Sequence, residues 1–440
     1  MTMPQTRHYE MKDSGVGSVG NIPKHWRATS LKRALWAIKD GTHGTYERVA
    51  SGKMLLSAKN VFDDGIHIGN SESLISEESF NEVISSGFPK KGDVLMCIVG
   101  TIGRACVYEK NEPMAFQRSV AFLRPNELIT SQFLKYTLQS PSTIEEEELG
   151  SNGTAQVGLY LGAVQKLPVI LPPLSEQTAI AAYLDEKCAT IDAIIAEAKA
   201  SIEEYKSWKA SVIFETVTKG LNPNAEMKDS GVEWIGEIPK GWEVSAVKRH
   251  YSITLGKMLE SVPQSNDATL ENYMCASNVK WGGIDTTTNR QMWFSPIEKE
   301  EYLLKEGDLL VMEGGSAGTS AIYRGEYAPC YMQNSVNRCR SKDGSLTHFL
   351  YYWMFLVYHS GHVESACNRA TIMHLTKEKL GRLPFVYAPE EEQASIVSCL
   401  DRKCSLIDGI ILEKEDLIRE LETYKKSLIF EVVTGKRRVC

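Results

Sequence analysis

The chain contains an internal repeat with an offset of 216 residues. Residues 11–33 return at 227–249 with 13 identities in 23 positions, and residues 167–188 return at 383–404. Between these blocks the two halves barely agree. The repeat units of solenoid proteins are about 20–50 residues long, which is much shorter than this offset. The repeat therefore indicates a duplicated domain. We expect one constant scaffold that presents two different recognition surfaces.

The composition is that of an ordinary globular protein. Of the 440 residues, 42% are hydrophobic and 24% are charged, and the length allows two or three domains. The sequence has no run of about 18 apolar residues that could span a membrane. Residues 1–15 lack the apolar stretch of a signal peptide. We therefore expect a cytoplasmic protein.

The charge distribution keeps nucleic acid among the possible ligands. A net charge of −7 is unlike the basic footprint of most nucleic-acid binders. Residues 175–220 and 390–438 together supply −5 of this charge, whereas residues 24–59 and 240–257 are locally basic. The total charge alone therefore does not exclude DNA.

Each half reads as a mixed domain followed by a long helix. Short β-like runs occur in the first half at 92–100, 105–108 and 119–123, and in the second half at 307–312. A short helix is predicted at Gln132–Gln139, with a counterpart around Phe349 and Tyr352. We predict domain boundaries at 1–170, 171–220, 221–386 and 387–440.

The long helices are predicted from apolar residues that recur every three to four positions in 180–212 and 396–428. Ser175 is a plausible N-cap for the first. About 40 residues at 1.5 Å each reach roughly 60 Å. No Gly or Pro interrupts either pattern before Gly409, so we favour a coiled-coil spacer over ordinary core helices. The spacer positions singled out are Glu176, Gln177, Ile180, Leu184, Ile191, Glu392, Gln393, Ile396, Leu400 and Ile407.

The order of the repeated segments suggests that the chain closes on itself. A copy of the Lys-Asp-Ser-Gly-Val segment precedes the first domain, and another follows the first long helix. The repeat unit is therefore segment, domain, helix. Such a unit can close in pseudo-two-fold fashion, with each chain terminus packing where the internal junction packs in the other half. An internal two-fold lets one chain address two half-sites on a duplex.

The chain resembles the specificity subunit of type I restriction-modification systems over nearly its whole length. The resemblance rests on LPPLSEQTAIAAYLDEKCATIDAII at 171–195, on MKDSGVEWIGEIPKGWEV at 227–244, and on APEEEQASIVSCLDRKCSLIDGII at 388–411. Departures are small: Ala388-Pro389 stands where Pro172-Pro173 stands in the first copy.

The resemblance implies an α+β fold. Two mixed α/β target-recognition domains would be separated by two long antiparallel coiled-coil helices, with an internal pseudo-two-fold repeat. Each domain would bind one half of a split, asymmetric DNA sequence. The helices would dock two methyltransferase subunits and, through them, restriction-translocase subunits. S-adenosylmethionine, ATP and Mg are then expected on those partners and not on this chain. Alternatives are a subunit of a related phage-defence methylation system and a scaffold that binds proteins.

Most of the candidate DNA contacts lie in three motifs that the diverged domains share, and Arg104, Lys280 and Arg290 lie outside them. The motifs are Ser57–Val61 with Cys275–Val279, Gly100–Gly103 with Gly315–Gly318, and Gln117–Ser119 with Gln333–Ser335. Glycine loops can approach a phosphate or form ordinary β-turns. Asparagine can form hydrogen bonds with the edge of adenine, and lysine or arginine can bind phosphate or guanine. The competing interpretation is that each of these side chains is simply solvated at the surface or forms a hydrogen bond within a turn. The candidates are Lys59, Asn60, Thr101, Arg104, Gln117, Arg118, Asn278, Lys280, Arg290, Ser316, Gln333 and Asn334.

Two pairs of these candidates differ between the domains, as base-reading residues should if the half-sites differ. These preferred discriminating pairs are Lys59 with Ser277 and Arg118 with Asn334.

No catalytic or metal-binding motif accompanies these candidates. The sequence lacks a Gly-x-x-x-x-Gly-Lys-Ser/Thr phosphate loop. Asn222-Pro223-Asn224 lacks the second proline and the aromatic residue of an adenine methyltransferase motif. The ten cysteines form no C-x-x-C pair, and His359 with His362 is a pair without further ligands. We expect a chain that reads DNA while its partners cut and methylate.

Overall fold

The chain folds as two compact units. The computed structural model describes residues 10–143, 145, 159–363 and 374–439. Unit 1 comprises Met1–Lys199 and Glu415–Cys440, and unit 2 comprises Ala200–Lys414. Each unit holds one copy of the N-terminal repeat segment, one recognition domain and part of both long helices.

Unit 1 contains thirteen strands, and five short helices lie wholly within its described residues. The strands are Met11–Asp13, Asn21–Pro23, Arg27–Ser30, Leu35–Asp40, Lys53–Leu56, Val61–Phe62, Gly65–Ile66, Leu74–Ile75, Val94–Cys97, Ala105–Val107, Ala115–Phe116, Val120–Pro125 and Pro168–Leu171. The short helices are Leu31–Ala34, Ala58–Asn60, Glu77–Ser85, Ser131–Gln139 and Leu161–Val164.

Unit 2 repeats these elements in the same order. Its strands are Met227–Asp229, Glu237–Pro239, Glu243–Ala246, Tyr251–Leu255, Thr269–Met274, Val279–Lys280, Gly283–Ile284, Arg290–Phe294, Leu309–Met312, Ser320–Ile322, Tyr331–Met332, Val336–Ser341 and Pro384–Tyr387. Its short helices are Val247–His250, Ala276–Asn278, Pro296–Tyr302, Thr347–His359 and Lys377–Arg382.

The sheet topology is also the same in both recognition domains. Each domain has a four-stranded antiparallel sheet and a three-stranded sheet with one parallel pair. In unit 1 the four-stranded order is Ala105–Val107, Val94–Cys97, Val120–Pro125, Leu35–Asp40, and the equivalent strands of unit 2 keep that order. The two interiors barely agree in sequence, yet they form one fold.

Each recognition domain packs around its own apolar core. In unit 2, Phe349 and Trp353 on helix Thr347–His359 are fully buried against Phe385. Full burial of one such side chain stabilises a fold by roughly 2–3 kcal/mol. The Trp353 indole N–H donates to the Pro384 carbonyl at 2.9 Å, so its polar atom is satisfied as well. The helix is thereby fixed to the strand that leads into the second long helix.

Most predicted elements are confirmed, and one helix cap is wrong. Strands occupy all four predicted β-like runs, and helix Ser131–Gln139 covers the predicted short helix. Ser175 was expected to cap the first long helix, but that helix already begins at Leu174. The first helical hydrogen bond joins the Gln177 amide to the Pro173 carbonyl at 3.0 Å, so Pro173 takes the cap position.

The two long helices run over Leu174–Lys219 and Glu390–Val433. The predicted apolar seam is buried at most of its positions, including Ile180, Leu184 and Ile191. Ile396, Leu400 and Ile407 are buried on the second helix. In the described part of the chain, no helix is both long and apolar enough to span a membrane.

Within each unit the two helices pack antiparallel. In unit 2 the Lys209 ammonium lies 2.6 Å from the Asp408 carboxylate. In unit 1 the equivalent residues, Lys425 and Asp192, pair at 2.7 Å. Each pair joins the C-terminal part of one helix to the N-terminal part of the other. The predicted fold class, two recognition domains with two long antiparallel helices and an internal repeat, is confirmed.

The helix ends pack on the repeat segments as the closed-chain model expects. Gly220 ends the first helix with φ of 73°, and a Cβ there would lie 3.1 Å from the Trp242 ring. Gly435 follows the second helix with φ of 73°, and a Cβ there would lie 2.4 Å from Pro23 Cδ. Left-handed φ and close contact both favour glycine. The C-terminal helix therefore packs on the N-terminal segment of unit 1, as the first helix packs on the junction in unit 2.

Candidate nucleic-acid interface

The three shared motifs meet at one place in unit 1. The Ala58 amide donates to the Ser119 hydroxyl at 3.0 Å, and the Ile98 amide donates to the Ser119 carbonyl at 3.0 Å. The Gln117 amide donates to the Leu56 carbonyl at 2.8 Å. The Arg118 amide donates to Thr42 on a fourth segment. We call residues 41–46, 57–60, 98–104 and 117–119 the recognition loops of unit 1.

Unit 2 builds the same network at the equivalent positions. The Ala276 amide donates to the Ser335 hydroxyl at 2.9 Å, and the Glu313 amide donates to the Ser335 carbonyl at 2.9 Å. The Asn334 amide donates to the Lys257 carbonyl at 2.8 Å. Residues 256–262, 275–278, 313–318 and 333–335 are the recognition loops of unit 2. The structure thus brings the sequence-predicted motifs together in both domains.

Asn60 and Asn278 hold these loops in shape. Both are buried, with 2% and 1% of their surface exposed. The Asn60 amide oxygen accepts from the Ser57 N–H, and its nitrogen donates to His67 O and to Glu72. Asn278 accepts from the Cys275 N–H and donates to two carbonyls. In this conformation both amides are engaged inside the protein, so the geometry favours a structural role at these two candidate positions.

Three of the four preferred discriminating positions are exposed on the loops, and the fourth is half-buried. Lys59 is exposed and pairs with Glu72 at 2.8 Å, and this pair together with the Gly69 amide holds the pKa of the Glu72 carboxyl below its ordinary value. Arg118 and Ser277 are exposed, and Asn334 is half-buried with its amide oxygen bonded to Gln333.

The two glycine loops present their hydroxyls to solvent. Thr101 and Ser316 are exposed. Gly100 has φ of 84° and Gly315 has φ of 71°, a backbone that favours glycine. These turns can offer backbone N–H groups and a hydroxyl to a phosphate.

Three other candidates are placed differently. The Arg104 guanidinium lies 4.7 Å from the Phe62 ring centroid and lines a cleft that also contains Asp192 and Lys425 of the long helices. Lys280 and Arg290 are exposed on strands next to the recognition loops of unit 2. Arg104 is therefore directed towards the helices of unit 1.

Sequence reasoning missed the segments after Gly41 and Gly256. A Cβ at Gly41 would lie 2.2 Å from the Phe116 carbonyl oxygen, and one at Gly256 would lie 2.4 Å from that of Gln333. The sequence signal that could have revealed these segments is the glycine that directly follows the first strand of each four-stranded sheet. Unit 1 continues with polar residues, whereas unit 2 exposes the apolar side chains Met258, Leu259 and Val262. These segments are further positions at which the domains differ.

Lys257 anchors the missed segment of unit 2. Its ammonium is buried, pairs with Glu260 and Glu298 at 2.7 Å each, and donates to the Trp293 carbonyl at 2.9 Å. The pKa of Glu298 is lowered because its hydrogen bonds with Lys257 and Ser295 outweigh desolvation by burial. The equivalent residue of unit 1, Thr42, carries no charge.

The Glu-Gln motif at the start of each long helix contacts the chain's own domains. Glu176 accepts from the Trp26 indole at 3.0 Å, and Glu392 accepts from the Trp242 indole at 3.0 Å. Gln177 is fully buried, accepts from the Thr130 amide and donates to the Leu128 and Pro172 carbonyls.

Gln393 makes the equivalent bonds to Leu346 and Ala388. This motif therefore fixes each helix to its recognition domain and its repeat segment.

In each unit, a tyrosine hydroxyl of the recognition domain forms a hydrogen bond with an aspartate of a long helix. The Tyr136 hydroxyl donates to Asp185 at 2.6 Å, and the Tyr352 hydroxyl donates to Asp401 at 2.6 Å. Burial, and next the carboxylate, raise the pKa of both tyrosines above their ordinary value. Each hydroxyl therefore stays protonated and donates to its carboxylate, which links the recognition domain to the long helix.

Metal-ligating groups do not converge among the described residues. His362 stacks on Trp234 with ring centroids 4.3 Å apart, and His359 lies 4.1 Å from Phe355. Burial lowers the pKa of both histidines. Both rings therefore pack against aromatic side chains.

The sequence of the chain matches a known family. A family model described as the type I restriction modification DNA specificity domain matches residues 52–204 and 254–423. Over 447 aligned residues, covering 98% of each chain, the protein is 23% identical to the MjaX type I restriction enzyme specificity subunit of Methanocaldococcus jannaschii. The MjaVIII specificity subunit of that organism is 24% identical, over 71% of this chain and 72% of the relative.

Two solved structures share the fold. A chain from a study of complex assembly and conformational transition of the type I R-M system aligns with a TM-score of 0.70 at 14% identity. It covers 94% of this chain and 99% of the other. The HsdS subunit from Thermoanaerobacter tengcongensis aligns with a TM-score of 0.50 at 14% identity, covering 94% and 98%. At such identity the likeness concerns the fold.

Proposed function

Because the chain belongs to the family of type I restriction-modification DNA specificity domains, we propose that it reads a bipartite, asymmetric DNA target with one recognition domain per half-site. One observation carries the proposal. The two domains share a fold and a buried loop network, yet their exposed loop residues differ, as at Lys59 and Ser277. Two different half-sites require this combination, because base identity is read by the side chains that reach the grooves.

The long helices would set the distance between the half-sites and dock the partner subunits. Their apolar seam is buried, while charged residues cover the remaining faces. Two methyltransferase subunits would bind there and carry S-adenosylmethionine, and restriction subunits would add ATP and Mg. The specificity subunit itself would take no part in bond breaking.

Sequencing the methylated bases of a host that expresses this chain with its methyltransferase tests the proposal. The expected result is adenine methylation confined to one split motif with two defined halves and a fixed gap. Methylation of adenines regardless of context would contradict it.

The helical spacer has a test of its own. Removing or adding one helical turn within 190–210 should change the gap and leave both halves of the motif intact. An unchanged gap would rule out the spacer function.

A protein-binding scaffold is the competing function. Binding of a defined split duplex by the assembled complex, weakening steeply with salt, would argue against it. Binding of every duplex with equal affinity would favour the protein-binding scaffold.

A further inference from the structure

The second recognition domain carries a group of cations outside the recognition loops. Lys248, Lys342, Lys377 and Arg382 line a cleft of about 420 Å³. Helices Val247–His250 and Lys377–Arg382 and the first part of strand Tyr251–Leu255 form its walls. All four side chains are on exposed residues, so each charge is accessible from solvent.

The positive charge of this cleft is largely uncompensated. Glu378 is the acidic residue in the lining. Its pKa is lowered first by its own backbone amide, then by Thr376 and by the charges of Lys377 and Arg382, so this carboxylate offsets part of the positive charge. Asp343 follows Lys342 in sequence but bonds to His250 and Ser345. Four cations against one carboxylate favour an anionic ligand.

One strand connects the cleft to the recognition loops of unit 2. Strand Tyr251–Leu255 leads from the cleft directly into Gly256, and five residues at 3.3 Å each span roughly 16 Å. Leu375, two residues before Lys377, donates to the Glu313 carbonyl at 2.7 Å and accepts from Asn337 at 3.2 Å. Phosphates of one DNA strand follow each other at about 3.4 Å along the axis. The strand length of roughly 16 Å corresponds to about five nucleotides of one DNA strand.

The first recognition domain has the same backbone there without the same charge. The equivalent residues are Lys32, Asn126, Leu161 and Lys166, which supply two cations in place of four. Asn126 donates to the Arg33 carbonyl at 2.9 Å, where Lys342 donates to the Lys248 carbonyl at 2.8 Å. The extra lysines of unit 2 are therefore not needed for this fold.

We propose that the cationic cleft of unit 2 binds backbone phosphates of the DNA beside the second half-site. The second domain would then hold its half of the target with a larger sequence-independent contribution than the first. The inference rests on the proposed function and adds a DNA contact that lies outside the recognition loops.

A double variant, Lys342→Asn with Lys377→Leu, tests this inference because it installs the residues that unit 1 carries at the same positions. The complex with the methyltransferase partner is titrated with target duplex between about 50 and 200 mM salt. Each lost phosphate contact reduces the slope of log K against log salt by about 0.9. We expect the slope to fall by about 1 to 2, affinity at low salt to fall about tenfold, and the methylated sequence to stay the same.

The matched control is Lys228→Ala with Lys305→Ala, which removes two exposed lysines elsewhere in unit 2. It should keep the wild-type slope. Replacing single phosphates of the duplex by neutral methylphosphonates should weaken wild-type binding at one or two positions beside the second half-site. The double variant should not respond at those positions.

A slope equal to that of the wild type would overturn the inference. Loss of methyltransferase assembly with unchanged DNA binding by the remaining complex would also overturn it, and would assign the cleft to a protein partner. Failure of the proposed function is distinguishable, because the wild-type complex would then bind target and scrambled duplexes equally.

Discussion

The recognition loops of units 1 and 2 are held by the same buried residues and differ at their exposed ones. Asn60 and Asn278 each accept from the amide three residues before and donate to the carbonyl seven residues after. The hydroxyls of Ser119 and Ser335 accept equivalent amides. The exposed Lys59, by contrast, corresponds to Ser277. Buried polar groups must keep their partners, since an unpaired one costs about 1–3 kcal/mol. Exposed positions have no such constraint, so under the proposed function they would diverge with the DNA half-site that each domain reads.

This comparison also explains where the domains can differ in shape. The segment after Gly41 is polar, whereas the segment after Gly256 is apolar and anchored by the buried Lys257. The glycines themselves are retained because a Cβ would collide with a carbonyl oxygen in both domains. A fixed entry point followed by a free segment is a simple way to vary a recognition surface on one fold.

The largest effect is expected at the buried asparagines. Asn278→Ala would leave the Cys275 amide and two carbonyls without partners, so we expect a loss of about 2–3 kcal/mol in the free energy of unfolding. Asn60→Ala should cost a similar amount. Chemical denaturation of the purified chain measures both.

Asn334→Ala is the control for this comparison, since Asn334 is half-buried in the same loops. It should cost under about 1 kcal/mol. Equal losses at Asn278 and Asn334 would contradict the division between buried loop residues and exposed readers.

A smaller effect is expected where the helices meet the repeat segments. Glu392→Ala leaves the buried Trp242 indole N–H without its acceptor, which should cost about 1–2 kcal/mol. Glu392→Gln keeps an acceptor oxygen and should cost less. Thermal unfolding of the two variants separates them; identical melting temperatures would show that the indole bond is not stabilising.

The smallest effect is expected at the ion pairs between the helices. Lys209 with Asp408, and Lys425 with Asp192, are pairs whose carboxylates are about half exposed. Such pairs contribute about 0.2–1 kcal/mol and are screened by salt. A double-mutant cycle on each pair should give equal coupling energies. A coupling that persists in 1 M salt would contradict this account.

Much of the architecture could be predicted from the sequence because periodic patterns report it directly. The repeat, the seam through Ile180 and Leu184, and the strand at Val94–Cys97 all follow from spacing. Which way an amide points does not follow from spacing. Asn60 bonds His67 and Glu72 because the chain folds back between Phe62 and Gly65, so an asparagine that looks like a base reader is engaged internally.

The recognition loops were only partly predictable for a related reason. Shared motifs revealed three of their four segments, and those motifs turned out to contain the loop framework as well as the exposed positions. The fourth segment was missed because its residues differ between the domains, which leaves only Gly41 and Gly256 as a common signal. Residues that diverge with function carry the least pattern in a single sequence.

The central claim is that each domain reads its half-site independently of the other. Lys59→Ser with Arg118→Asn places the equivalent residues of unit 2, Ser277 and Asn334, into unit 1 and leaves Asn60 and Ser119 unchanged. Methylated-base sequencing of a host that carries this variant and the methyltransferase is the most direct test. We predict that one half of the split motif is altered or relaxed, and that the other half and the gap are unchanged. A change in both halves, or in neither, would contradict the claim.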